Sequence, residues 1–97
     1  MNIVVIGAGD IGFQLTRRLS SERHNLTILE HDPQRAKRAS EQLDAMVIEG
    51  HGANHSALKD GQVENADIVA AMTNNDEVNL VACQIAKQVG VPTTIAR

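Results

Sequence analysis

An apolar run, Ile3-Val4-Val5-Ile6, leads straight into Gly7-Ala8-Gly9-Asp10-Ile11-Gly12, and a helical pattern of apolar residues begins directly behind it. A strand, three glycines at this spacing and a helix together form the fingerprint of the first turn of a doubly wound α/β sheet, where a nucleotide pyrophosphate is received. Each glycine has its own physical reason. Gly7 permits the tight turn out of the strand, Gly9 lets the backbone approach a pyrophosphate, and Gly12 lets the helix pack closely on the sheet. The helix then presents its free N–H groups and the positive end of its dipole to phosphate. Glycines at this spacing also arise by chance in a chain with seven of them, so the flanking strand, helix and a suitably spaced acid carry the assignment.

That acid is Glu30. It ends the β-branched-rich run Asn25-Leu26-Thr27-Ile28-Leu29 and lies 18 positions after Gly12, near the roughly 20-residue spacing of a carboxylate that bonds the adenosine ribose. Its charge would repel a ribose 2′-phosphate, which favours NAD(H) or another adenine nucleotide with a free 2′-hydroxyl over NADP(H). Asp32 and Arg35 stand close enough to reach the ribose or the adenine edge. Asp32 also reads as the cap of the next helix, with Pro33 at its first position.

Ninety-seven residues hold one domain, residues 1–97. With 42% apolar residues and a single aromatic, Phe13, the core must be Val, Ile, Leu and Ala, which suits a parallel sheet covered by helices. A net charge of −3 and the lack of aromatic stacking platforms argue against nucleic acid as a partner. No apolar stretch approaches the roughly 18 residues of a membrane span, and the N-terminus has no charged region ahead of an apolar one, so the chain is expected in the cytoplasm. Cys83 is the only cysteine, which excludes an internal disulfide. It falls on or beside the apolar stripe Val78, Val81, Ala82, Ile85, Ala86, Val89, where a thiol is an inert small hydrophobe.

Strand and helix patterns alternate without a repeat or a low-complexity linker. Residues 2–6 read as a strand, 11–22 as a helix, 25–30 as a strand, 33–42 as a helix and 45–49 as a strand. Gly50-His51-Gly52 reads as a loop, Asn54 to Asp60 as a short helix stopped by Gly61, and Ala66 to Met72 as a buried strand. Asn75 to Val89 reads as a helix ended by Gly90, and Thr93 to Ala96 as the start of a fifth strand. This alternation predicts right-handed crossovers and a Rossmann-like doubly wound parallel sheet, order 3-2-1-4-5, in three αβα layers. A ligand would lie across the switch point between strands one and four. Gly50-His51-Gly52-Ala53 and Thr73-Asn74-Asn75-Asp76-Glu77 would open onto the same crevice. In the latter, Thr73 or Asn74 can cap the following helix while Asp76 or Glu77 bonds back; equally, their amides and side chains can line the second half of a nucleotide.

The chain resembles the regulatory nucleotide-binding domains of potassium transport proteins, the RCK or KTN (TrkA-N) domains, and specifically the Trk-type potassium-uptake regulatory subunit. The resemblance covers essentially the whole chain and rests on IGAGDIG at 6–12, Glu30, EGHGANHSALKDGQVENADIVAAMTNNDEVNLVACQIAK at 49–87 and IAR at 95–97. It implies a domain that binds NAD(H) or ATP/ADP without catalysis and couples occupancy to the gating of a membrane potassium transporter subunit, at the inner face of the cell membrane. It further implies phosphate contacts along Gly7, Ala8, Gly9, Asp10, Ile11 and Gly12, ribose contact at Glu30 beside His31, and nucleotide contacts at Gly50, His51, Gly52, Thr73 and Asn74. Arg97 matches an arginine that lies near phosphates or at a dimer contact. Family domains continue through another helix and strand, so the chain is expected to be the N-terminal part of a longer one and to form homodimers or higher homo-oligomers.

Two other readings compete. The glycine motif suits the cofactor domain of an NAD-dependent oxidoreductase, but hydride transfer needs a proton donor or acceptor, and His51 and His55 have no obvious carboxylate to orient them. A metal module would use His24, His31, His51 and His55, yet Gly52 and Asn54 break the helix on which the 51/55 pair would share a face.

Overall fold

A computed structural model describes residues 1–97. Ile3, Val4, Val5 and Ile6 are all buried, because β1 (Asn2–Ile6) lies at the centre of a sheet covered on both faces. It pairs in parallel with β2 (Asn25–Glu30) on one side and β4 (Ile68–Ala71) on the other. β3 (Met46–Glu49) and β5 (Thr93–Ala96) form the edges, and the order is β3-β2-β1-β4-β5, as the pattern of strands and helices predicts.

Side chains of β1 alternate between two cores. Ile3 and Val5 join Phe13, Leu26, Ile28, Ala39 and Leu43 beneath α1 (Asp10–Leu19) and α2 (Pro33–Gln42). Val4 and Ile6 join Leu29, Leu58, Val69, Ala82, Ile85 and Ala86 beneath α3 (His55–Asp60) and α4 (Asp76–Gln88). At about 1.5–3 kcal/mol for each large apolar side chain buried, the two layers supply the main driving force. Small residues on the helices, Ala39, Ala82 and Ala86, let the backbones approach the sheet. Phe13 is sealed by charge: the guanidinium carbons of Arg38 and Arg17 lie 4.1 and 5.1 Å from its ring centroid, within cation–π range.

Differences from the expected elements have local causes. α1 stops at Leu19 rather than residue 22, because the Ser20 and Ser21 hydroxyls donate to the carbonyls of Arg17 and Arg18 and close its last turn. Between α3 and β4 the chain makes a 3₁₀ turn at Val63–Asn65, entered through Gln62 in the left-handed region (φ 60°), and β4 is shorter than the 66–72 expected. α2 is capped by Asp32, whose carboxylate accepts the Arg35 N–H at 2.9 Å. The cap of α4, however, is neither Thr73 nor Asn74. Asn75 accepts the Val78 N–H at 3.1 Å, and Asp76 and Glu77 make no bond back, because Thr73 is engaged deeper in the helix.

Candidate functional site

Beyond the carboxyl ends of the strands, the backbone continues the ladder by one bond and then diverges. Gly7 N–H donates to Leu29 O at 2.8 Å, Met72 N–H to Ile6 O at 2.8 Å, and Arg97 N–H to Ala71 O at 2.9 Å. The chain leaves β1 and β4 toward opposite faces, as the ligand crevice of an open α/β sheet requires. A cavity of about 400 Å³ occupies this switch point.

Gly7, Ala8, Gly9, Asp10, Ile11, Glu30, His31, Thr73, Asn74 and Arg97 all line it, together with Arg35, Arg38 and Met72. Gly50, His51 and Gly52 meet Gly7, Glu30, His31, Thr73 and Asn74 around an adjoining hollow of about 40 Å³. Gly12 lines neither. A larger hollow, about 490 Å³, lies at the opposite ends of β1 to β3 beside Asn2, His24, Asp44 and Gln62. It contains none of the glycine-loop amides and none of the arginines, so the chemistry belongs to the switch-point cavity.

The three loop glycines are needed for different reasons. Gly7 has φ +100° and presses against Thr73, while a Cβ on Gly12 would stand 1.9 Å from Gly7 O, so this helix rests on its own loop. A Cβ on Gly9 would meet nothing within 4 Å. Gly9 is the N-cap of α1 and offers no side-chain cap. The N–H groups of Gly9, Asp10 and Ile11 have no protein acceptor, and these three residues line the cavity. Gly50 and Gly52 have packing reasons of their own: a Cβ on the first would be 2.7 Å from Ala57 Cβ, and on the second 2.5 Å from Ile6 Cγ2.

Glu30 is bound more tightly into the protein than its sequence position suggests. Its side chain is 2% exposed. Oε1 accepts the Ala8 N–H at 2.7 Å and Oε2 the Asp32 N–H at 2.8 Å, with His31 Nδ1 3.2 Å from Oε2. A carboxylate has about four lone-pair sites, and the two backbone N–H groups use one on each oxygen. The carboxylate thus fastens the glycine loop to the end of β2 and keeps one acceptor site on Oε1. Ala8 correspondingly turns its N–H to Glu30 and not to the cavity.

Three arginines, Arg35, Arg38 and Arg97, border the cavity, and none takes part in an ion pair. Arg35 and Arg38 lie on α2 toward the end of β2; Arg97 lies across the crevice, with Nη1 3.4 Å from Thr73 O. Beside them, His51 Nδ1 accepts the Ala53 N–H at 3.1 Å, which places the proton of the neutral ring on Nε2. Its ring meets His31 edge-on, centroids 5.6 Å apart. No group of three His, Cys, Asp or Glu side chains is arranged to hold a metal. Sequence reasoning did not single out Arg38 or Asn79. Arg38 carries no motif signal, whereas Asn79 is a polar residue on the inner face of a helix between Val78 and Ala82, a detectable anomaly.

The TrkA-N domain family matches residues 3–97. The chain belongs to that family. Among curated relatives, the Trk system potassium uptake protein TrkA of Azorhizobium caulinodans is 41% identical over 98 residues, covering all of this chain and 21% of that protein. The TrkA-N chain therefore spans about a fifth of that relative's length. Its fold is shared with the GsuK channel bound to NAD (TM-score 0.84, 23% identity, 98% of this chain and 17% of the other). It is likewise shared with the Kef CTD of Shewanella denitrificans in an AMP-bound form (TM-score 0.82, 23% identity, 100% and 58%).

Proposed function

We propose that this chain is a nucleotide-binding regulatory domain whose switch-point cavity takes NAD(H) or ATP/ADP and couples that occupancy to the gating of a potassium transporter. The observation that carries the reading is the set of acceptor-free N–H groups on Gly9, Asp10 and Ile11 above a glycine with open space where its Cβ would be. A pyrophosphate supplies the missing acceptors and the negative charge that the helix dipole favours. Gly7 and Gly12 shape that cradle. Arg97 faces phosphate from the far side, and Thr73, Asn74, Gly50, His51 and Gly52 border the second half of the ligand. The remaining Oε1 site of Glu30 takes one ribose hydroxyl, and its charge disfavours a 2′-phosphate, with Arg35 and Arg38 tempering the margin.

Two comparisons support the nucleotide: the fold is that of a channel bound to NAD and of a domain in an AMP-bound form. Another supports the role, since a relative covering the whole chain is named a potassium uptake protein. On this reading the chain is not an enzyme, works at the cytoplasmic face of the membrane beside a transporter subunit, and assembles as a homo-oligomer. No helix of its own is long and apolar enough to cross a membrane. A ligand biases a partner's gate only by binding two conformations unequally, with typical couplings of about 1–3 kcal/mol. Titration of NADH, NADPH, ATP and ADP against the chain, side by side, is the test. Saturable binding of NADH or of ATP/ADP, tighter than NADPH, is expected; no saturable binding of any of the four refutes the reading.

A further inference from the structure

Asn79 stands in the second turn of α4, 1% exposed, on a face otherwise made of Ala82, Ile85 and Ala86. An asparagine is a poor helix former, and an amide buried there costs free energy unless every polar atom is bonded. Here every one is bonded, and all to a single residue: Oδ1 accepts the Thr73 N–H at 3.0 Å and the Thr73 hydroxyl at 2.6 Å, while Nδ2 donates to Thr73 O at 3.0 Å. The same carbonyl receives Arg97 Nη1, and the same hydroxyl accepts the Asn75 N–H at 3.2 Å. Thr73, Asn74 and Arg97, with Met72, border the cavity on the β4/β5 side. One buried amide thus ties Thr73, and through its carbonyl the Arg97 guanidinium, to α4.

Resting on the nucleotide reading above, we propose that Asn79 is a positioning residue for the half of the ligand beyond the first phosphate. It touches no ligand itself. It fixes the Thr73 backbone and, through the Thr73 carbonyl, the Arg97 guanidinium. The α1 amides and Glu30 lie across the crevice and make no hydrogen bond to Asn79 or Thr73. Its loss should therefore divide ligands by reach. AMP, held by the α1 amides and the end of β2, keeps its affinity, whereas NADH, which extends past Thr73, loses it.

The test is equilibrium binding of AMP and NADH to the full chain, in wild type, Asn79→Ala and Asn79→Asp, with urea unfolding of each. Asn79→Ala is expected to weaken NADH at least tenfold and AMP less than twofold. Asn79→Asp keeps the acceptor for the Thr73 N–H and hydroxyl but loses the donor to Thr73 O. It should show the same split with a smaller NADH loss, and the loss should shrink as pH falls and the protonated acid regains a donor. Equal loss of both ligands, or none, in whichever variant folds overturns the proposal while leaving nucleotide binding intact. Failure of wild type to bind AMP and NADH overturns this inference, and failure to bind ATP and ADP as well overturns the underlying reading with it.

Discussion

Gly9 and Gly12 stand three residues apart in one motif, and the structure gives them opposite sensitivities. Gly9 has φ −73° and ψ −166°, an extended conformation open to β-branched residues, and a Cβ there meets no atom within 4 Å. Gly9→Val should fold with stability within about 1 kcal/mol of wild type, the reduced freedom of the unfolded chain offsetting the poorer N-cap. Its side chain would occupy the space through which a pyrophosphate reaches the amides of Gly9, Asp10 and Ile11, so nucleotide affinity should fall at least tenfold, about 1.4 kcal/mol. Gly12→Ala should do the reverse. Its Cβ would lie 1.9 Å from Gly7 O and 2.9 Å from Gly7 C. Both are backbone atoms, in a loop pinned by the Gly7 N–H to Leu29 O bond of 2.8 Å. With no flexible side chain to yield, the cost should reach or exceed the roughly 1–3 kcal/mol of an overpacked core. Because the chain has no Trp or Tyr, unfolding is followed by far-UV circular dichroism in urea, and binding by the emission of NADH itself. Wild-type affinity in a fully folded Gly9→Val refutes the phosphate approach, and wild-type stability in Gly12→Ala refutes the packing role.

Glu30→Ala should destabilise the fold by about 1–3 kcal/mol, the cost of leaving the buried Ala8 N–H without its acceptor, while the partly exposed Asp32 N–H is rehydrated. A change below about 0.5 kcal/mol in urea unfolding, the scale of an ordinary surface substitution, would show that the carboxylate does not fasten the loop. Gln62→Gly should stabilise by about 0.5 kcal/mol, since relief of the left-handed backbone at φ 60° slightly exceeds the entropy cost of glycine; a lowered melting temperature would refute the strain. Burial pushes the Cys83 thiol above its ordinary range, only partly offset by a hydrogen bond with the Ala71 backbone, so iodoacetamide should modify it more slowly than free cysteine at pH 8. The unfolded chain ionises first, so stability should decline as pH rises past about 8.5, and Cys83→Ala should remove that part of the decline.

Most of this architecture is legible in residue order because its causes are local. Ile3 to Ile6 buries both faces and must be a central parallel strand; Asp32-Pro33 and Gly90 punctuate helices by their own backbone chemistry. What residue order does not show are contacts closed by tertiary structure. Glu30 reads as a ribose acceptor from its spacing, but its bonds to Ala8 and Asp32 exist only once the glycine loop is folded over the end of β2. Thr73 reads as a helix cap, yet its hydroxyl and amide are claimed by Asn79 one turn further on, which moves capping to Asn75. The left-handed Gln62 next to Gly61 is likewise unreadable, since local chemistry would assign the positive φ to the glycine.

Those tertiary contacts also explain how one motif can serve two ends of a ligand. The glycine loop ahead of α1 is tied down by Glu30 through Ala8, and Thr73 in the opposite wall by Asn79, so each half of the crevice has its own buried polar anchor, one at the end of β2 and one on α4. The anchors share no hydrogen bond, so removing either is expected to loosen its own wall more than the other. On the proposed reading, a ligand that spans both would respond to their mutual spacing, while a short one would feel the α1 side alone. On the proposed nucleotide reading, that is the physical requirement for occupancy to bias a conformation: differential contact with two states of the crevice, which a ligand reaching from the β1 side to the β4 side would make and one confined to the α1 amides would not.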